Sequence, residues 1–145
     1  MNVQDLVEPV VSIAVSAGHA ILDVYETDFE VTAKEDDSPL TRADMASHRR
    51  IVAGLHELTP GVPVISEEGG LPDFEERRQW QRYWLIDPLD GTREFVNRNG
   101  EFTVNIALVE DGRPVLGVVH VPVMQKTYIG CLGAGAELRD AGGTR

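Results

Sequence analysis

The sequence places two aspartates, Asp87 and Asp90, directly after the short apolar run Tyr83–Ile86. Pro88 lies between them, and its fixed φ predicts a sharp turn that lets both carboxylates and the carbonyl of Leu89 converge on one cation. Ligands that are all oxygen favour Mg²⁺, Mn²⁺ or Ca²⁺ over Zn²⁺. The competing interpretation is a plain turn that ends in a helix cap and binds no metal.

A second acidic pair, Glu67 and Glu68, follows the apolar run Val62–Ile65. If the two apolar runs form neighbouring strands, four carboxylates leave the sheet at the same edge. Clustered carboxylates raise one another's pKa values and destabilise a fold unless cations neutralise them. The two pairs together therefore favour a site for two divalent ions.

Gly91 and Thr92 come directly after the second aspartate and add the features of a phosphate site. Glycine permits close approach of an anion, and the amides at a helix N-terminus donate hydrogen bonds toward it. The Thr92 hydroxyl and a carboxylate such as Asp44 would orient a water for in-line attack on phosphorus. Lys34 lies in a polar, turn-forming segment, where a lysine is more often a solvated surface residue, although a loop of this kind could close over a charged site.

Two amphipathic helices are predicted to precede these motifs. Apolar residues recur at steps of three and four over Asp5–Tyr25, which predicts the first helix. Thr41, with Asp44 three residues later, resembles a capping box and predicts a second helix over Arg42–Leu58. Pro60–Gly61 then ends this helix.

Short strands and tight turns make up the rest of the chain. Beyond the two strands that precede the acidic pairs, a meander of three antiparallel strands is predicted over Thr103–Val109, Val115–Val121 and Tyr128–Leu132. Glu110–Pro114 is predicted to be the first turn, and Ala141–Arg145 is turn-like. Helices followed by a meander predict an α+β fold, with two N-terminal helices layered on a largely antiparallel sheet.

Composition excludes several classes of function. The formal net charge of −11, from 13 basic and 24 acidic residues, excludes a broad surface for nucleic acid, which needs clustered Lys and Arg. The single cysteine, Cys131, indicates a reducing compartment and a buried thiol. The apolar stretch Val7–Val24 is interrupted by polar residues, which argues against both a signal peptide and a membrane span. No metal-ligand spacing is present among the histidines: His19, His48, His56 and His120.

Two motifs, Ile65–Glu68 and Trp84–Thr92, are spaced so that Asp87 follows Glu67 by twenty residues. This pattern closely resembles the lithium-sensitive, magnesium-dependent phosphatases of the inositol monophosphatase superfamily. The continuation Arg93–Leu108 is similar to the bacterial CysQ branch of that family, the 3'(2'),5'-bisphosphate nucleotidases of sulfur assimilation. Inositol phosphatases proper usually have Asn-Phe-Val-His where this chain has Glu-Phe-Val-Asn.

The resemblance implies a set of metal ligands. Glu67, Asp87 and the carbonyl of Leu89 would hold one Mg²⁺, and Asp87 and Asp90 would share a second. Glu68 would assist catalysis, through a third ion in some states, and Mn²⁺ would be a possible substitute.

The resemblance also implies roles around the phosphate. Gly91 and Thr92 would receive it, Asp44 and Thr92 would activate the attacking water, and Lys34 would match the basic residue of the family's mobile loop. The substrate implied is a small phosphorylated nucleotide or sugar. In the preferred reaction, the enzyme removes the 3'-phosphate of adenosine 3',5'-bisphosphate to give AMP. It would also remove the 3'-phosphate of the 5'-phosphosulfate relative of this substrate.

Other functions stay open beside this one. The enzymatic alternative is an inositol-1-phosphate or fructose-1,6-bisphosphate phosphatase, and the alternative of another class is a non-catalytic module that binds metal or forms a homodimer. The resemblance implies a cytoplasmic protein, peripheral at most on the inner face of the cell membrane.

The resemblance further implies that residues 1–145 form an N-terminal metal- and phosphate-binding domain. In the family's αβαβα sandwich, a C-terminal α/β half adds another metal-binding aspartate and much of the sugar and base contact. We expect the present sequence alone to lack that ligand.

Overall fold

Two long helices cover one face of a sheet in the computed structural model, which describes residues 2–26, 38–66, 79–140 and the backbone of 143–144. The helices are α1 (Val3–Tyr25) and α2 (Pro39–Leu58), and a short α3 spans Thr92–Val96. Over these described ranges the strands are β1 (Val64–Ser66), β2 (Arg82–Asp90), β3 (Thr103–Glu110), β4 (Arg113–Val121), β5 (Lys126–Cys131), β6 (Gly135–Asp140) and β7 (Gly143–Thr144). The predicted α+β class and the layering of two helices on the sheet are confirmed.

The strands form one sheet in sequence order, from β1 to β7. β1 runs parallel to β2, and every later neighbour is antiparallel. α1 packs on β3, β4 and β5, whereas α2 packs on β1 and β2. The largest buried side chains between the layers include Leu6, Ile21, Ile51, Trp84, Ile106 and Leu116. The sheet therefore has one face in the core and one face turned away from the helices.

The first helix matches the predicted helix within two residues at its start. Asn2 caps it, because its side chain accepts a hydrogen bond from the backbone N–H of Gln4. By length and a mean hydropathy of 1.4, α1 would also suffice to cross a membrane. The core helix of a soluble protein has the same properties, and one side of α1 is buried against the sheet: Leu6, Val10, Ala14, Ala17 and Ile21.

The second helix begins at Pro39, and the predicted capping box at Thr41 and Asp44 is wrong. Ser38 is the N-cap, since its Oγ accepts a hydrogen bond from the Thr41 N–H at 3.1 Å. Pro39 occupies the first turn, where its fixed φ suits a helix and its missing N–H costs nothing. Asp44 is thus placed inside the helix, with its side chain only 9% exposed.

The strand before the aspartates is longer than predicted. Instead of ending at Ile86 in a sharp turn, β2 continues through Pro88 to Asp90 with a shift of register. β2 stays paired with β3 as far as Asp90, whereas its pairing with β1 ends at Ile86. Because Pro88 lacks an N–H, it is tolerated where the ladder is interrupted.

The meander contains more strand than the sequence indicated. β3 and β4 meet at a two-residue turn, Asp111 and Gly112, whose positive φ values of 50° and 78° are those of a type I′ hairpin. The predicted turn at Glu110–Pro114 was therefore too wide. β6 and β7 were missed, because β6 is partly exposed along its whole length and lacks the alternation that marks a half-buried strand.

Candidate functional site

A bulge in β2 brings Asp87 and Asp90 onto the same face of the sheet. In the ladder with β3, Asp87 is opposite Asn105 and Asp90 is opposite Thr103, so β2 has one residue more than its partner over this step. Regular alternation would place Leu89 beside Asp87, yet Leu89 is in the core at 3% exposure. Two residues spaced three apart in a regular strand would face opposite sides. The bulge lets both carboxylates face the same side.

Both aspartates line one open cavity of about 380 Å³ on the sheet face away from the helices. Asn105 lies at its polar end, and Leu85 and Val119 are among its apolar wall. The cavity thus combines carboxylates at a strand end with an apolar wall, as small-molecule pockets commonly do.

The second helix fixes the bulge from the core side. Ser47, which is fully buried, donates a hydrogen bond from its Oγ to the carbonyl of Pro88 at 2.7 Å. Asp44 lies three residues earlier and therefore on the same side of α2. Its carboxylate is buried, with Oδ1 shielded from solvent. Asp44 therefore lies on the core side of the sheet, on the face of α2 that contacts β2, whereas Asp87 and Asp90 line the cavity on the other face.

The same helix is tied to the end of β1. The ring Nδ1 of His48 and the hydroxyl of Ser66 are 3.2 Å apart. In the parallel ladder Ser66 is opposite Ile86, so β1 and β2 leave the sheet at the same edge, as the sequence argument required. Ser47 and His48 were not foreseen as supports of the site, because their partners are distant in the sequence.

A glycine in left-handed conformation connects the bulge to α3. Gly91 has φ 89° and ψ 53°, and its carbonyl accepts the Phe95 N–H at 3.0 Å. A Cβ at this position would lie 3.1 Å from Oε2 of Glu94 and 3.3 Å from the Cα of Phe102. Glycine is therefore required for the chain to turn from Asp90 into the helix, and Thr92 becomes the exposed first residue of α3.

An aromatic cluster holds α3 against the end of α1. The rings of Tyr25, Phe95 and Phe102 lie 4.9 to 5.5 Å apart between centroids, and both phenylalanines are fully buried. Arg98 donates from Nη2 to the carbonyl of Tyr25, and its guanidinium lies 5.5 Å from the Tyr25 ring centroid. These contacts fix the helix that begins at Thr92, so the hydroxyl is presented by a rigid element.

Three of the predicted site residues, Lys34, Glu67 and Glu68, lie outside the described residues. Within residues 2–26, 38–66 and 79–140, no three side chains of His, Cys, Asp or Glu gather in a way that could hold a metal. Asp87 and Asp90 nevertheless provide the hard oxygen donors that Mg²⁺ prefers, on one face and in one cavity. The described donors therefore fit part of such a centre.

Comparison with known proteins agrees with this geometry. The model of the inositol monophosphatase family matches residues 2–142. The 3'(2'),5'-bisphosphate nucleotidases CysQ of Salmonella typhimurium and Escherichia coli are 56% and 54% identical over 125 residues, which are 85% of this chain and 50% of each relative. The chain thus spans about half the length of these relatives.

Solved structures give the same result. The crystal structure of CysQ from Bacteroides thetaiotaomicron has a TM-score of 0.86 and 47% identity, covering 95% of this chain and 50% of that one. The SuhB protein of Bartonella henselae, at 26% identity, has a TM-score of 0.77, with coverage of 94% and 52%. With the family model spanning nearly all of its residues, this chain belongs to the inositol monophosphatase family.

Proposed function

We propose that residues 1–145 are the metal- and phosphate-binding domain of a 3'(2'),5'-bisphosphate nucleotidase. The reaction is hydrolysis of the 3'-phosphate of adenosine 3',5'-bisphosphate to AMP, and of the corresponding phosphate of its 5'-phosphosulfate relative. The observation that carries the proposal is the bulge that presents Asp87 and Asp90 in one cavity and leads through Gly91 into α3. The similarity to CysQ nucleotidases, at up to 56% identity, supports the choice of substrate.

Asp87, Asp90 and the carbonyl of Leu89 would hold Mg²⁺ together with Glu67, and Glu68 would assist. Two or three ions, or Mn²⁺ in their place, would supply positive charge beside the reacting phosphate. These assignments rest on oxygen donor chemistry and on the convergence of the two aspartates in the cavity.

The remaining residues would position phosphate and water. Gly91 lets the phosphate approach the backbone, and Thr92 offers its hydroxyl from the first residue of α3. Asp44 takes a proton from the water that Thr92 orients, a role that suits a carboxylate held in the core by α2. Lys34 would attract the second phosphate group of the substrate. The protein acts in the cytoplasm, peripherally at the membrane at most.

Phosphate release from a panel of substrates tests this function. The chain is assayed with Mg²⁺, both alone and joined to the half of the Salmonella typhimurium protein that it does not cover. We expect adenosine 3',5'-bisphosphate to exceed inositol 1-phosphate and fructose 1,6-bisphosphate in kcat/KM, and D87N to remove the activity. A clear preference for inositol phosphate or fructose bisphosphate would identify one of those phosphatases instead.

A second candidate function, self-association, is favoured by the apolar face of the sheet. Leu85, Val119 and Tyr128 are 36 to 46% exposed on the face away from the helices. Val119 and Tyr128 also border an open groove of about 490 Å³ with little polar lining. Apolar patches of this kind mark association sites, and a second copy of the chain would cover this one.

Sedimentation velocity tests the association. The wild-type chain should form a dimer whose fraction rises with concentration, and Y128K should shift it to monomer by placing a charge in the interface. A substitution at the distal hairpin turn, D111N, serves as the control. A wild-type monomer at all concentrations would eliminate this candidate and leave the nucleotidase proposal intact.

A further inference from the structure

Asn105 lies between the two aspartates of the bulge and contacts one of them directly. Its backbone is opposite Asp87 in the ladder of β2 and β3. Its side-chain Nδ2 donates a hydrogen bond to Oδ2 of Asp90 at 3.0 Å. Asn105 also lines the same cavity as both carboxylates. No sequence pattern pointed to this residue.

The oxygen of the Asn105 amide makes a second hydrogen bond. Thr103 donates from Oγ1 to the Oδ1 of Asn105 at 2.8 Å. An ionised carboxylate only accepts hydrogen bonds, so the NH₂ group of Asn105 must face Asp90, and the Thr103 hydroxyl then donates to the amide oxygen. Thr103, Asn105 and Asp90 thus form a chain of donors that ends on a carboxylate.

We propose that Asn105 is a positioning residue, which with Thr103 orients the Asp90 carboxylate for a divalent cation. The inference rests on the proposed function, because it concerns the same metal site. A hydrogen bond to one carboxylate oxygen restrains the rotation of the group and leaves the other oxygen to bind a cation. Partners that orient metal ligands in this way commonly matter about 10- to 100-fold for metal affinity.

The neutral amide suits this task better than other side chains. A Lys or Arg at position 105 would hold Asp90 by charge and would repel the cation that the site is to bind. An acidic side chain would face Asp90 at hydrogen-bond distance and repel it in the absence of metal. An asparagine donates a hydrogen bond without adding charge of either sign, and the hydrogen bond from Thr103 to its amide oxygen holds the side chain in place.

Manganese affinity, followed by the loss of the free-ion electron paramagnetic resonance signal, tests the proposal without substrate. In the 145-residue chain we expect N105L to raise the Kd for Mn²⁺ about 10- to 100-fold. T103V keeps the shape of the side chain but loses the donor, so it should weaken binding by a smaller factor. T103S restores the hydroxyl and should bind like the wild type.

Thermal unfolding in the absence of metal shows whether each variant is folded, and T103V provides the test if N105L is not. Affinity of the wild-type level in both N105L and T103V would overturn the proposal, as would equal weakening in T103V and T103S. Absence of Mn²⁺ binding by the wild-type chain would also overturn it. The nucleotidase proposal can fail separately. In that case N105L would still weaken Mn²⁺ binding, but no phosphate would be released from adenosine 3',5'-bisphosphate.

Discussion

At the scale of residues, the chemistry depends on a few positions that permit no ordinary substitute. Asp87 and Asp90 could be singled out as candidate ligands, because their type and their place after an apolar run are visible in the sequence. Asn105 could not be predicted, because its contact with Asp90 arises from the register of β2 and β3 across the bulge. Ser47 likewise reaches a carbonyl 41 residues away. Such partners exist only once the strands are paired and the helix is packed.

Gly91 provides a test at this scale. G91A should destabilise the chain through its left-handed backbone, at about 1 to 2 kcal/mol, and through contact with Phe102. Gly61 is a matched control, since it has a φ of 86° and nothing within 4 Å of an added Cβ. In urea denaturation G91A should lose more stability than G61A, and G91A alone should impair phosphate release. Equal losses of stability, with phosphate release unchanged in both, would contradict the role given to Gly91.

At the scale of elements, α2 connects the two strand ends that carry the acidic pairs. It contacts β2 through Ser47 and β1 through His48, and it carries Asp44 on the side that contacts β2. The amphipathic pattern predicted this helix, but not its cap. Thr41 fits a capping box, yet Ser38 followed by Pro39 provides a better start because the proline is preorganised for the first turn. The presence of the helix could therefore be predicted from the sequence. Its first residue could not, because two candidate N-caps compete.

The contact between α2 and the bulge can be tested by S47A. This substitution leaves the buried carbonyl of Pro88 without its donor, which should cost about 1 to 3 kcal/mol. S16A is the control, because the Ser16 hydroxyl accepts a hydrogen bond from Arg50 at an exposed position and should change stability by less than about 0.5 kcal/mol. Urea denaturation measures both. Equal stability of the two variants would show that the bulge does not depend on Ser47.

The packing of α1 on the sheet creates a pH dependence. His120 on β4 lies 2.8 Å from the hydroxyl of Thr127 through Nδ1, and an added Cβ at Gly18 would lie 2.8 Å from its ring. Burial, together with repulsion from His19, lowers the pKa of His120 from 6.5 to about 4. Between these values the unfolded chain binds a proton that the folded chain does not. The free energy of unfolding should therefore fall as pH decreases from 6.5 toward 4.

Urea denaturation above pH 6.5 and again near the lowered pKa of about 4 measures this dependence. H120Q should lose this part of the pH dependence, whereas H56Q, at an exposed position of α2, should retain it. An unchanged slope in H120Q would assign the pH dependence to other groups.

At the scale of the whole molecule, the sheet divides the chain into a side packed against the helices and a side that carries the candidate metal site. The helices, with Asp44 on α2, cover one face, and Asp87, Asp90, Asn105 and Val119 line the cavity on the other. The layer architecture was predictable, because two helical patterns followed by a meander have few compact arrangements. The strand β6 was not predictable, since it is partly exposed along its length and lacks alternating burial. The net charge of −11 is consistent with cations as intermediaries between this protein and a phosphate.

The most direct test of the account is calorimetric titration of Mg²⁺ into the chain, because every assigned role depends on cations at the bulge. The wild-type chain should bind Mg²⁺, and D90N should weaken binding about 10-fold or more, since it removes a charged oxygen ligand. D111N makes the same chemical change at the distal turn of β3 and β4 and should bind like the wild type. Equal Mg²⁺ affinity in D90N and D111N, or no binding by the wild-type chain, would contradict the account.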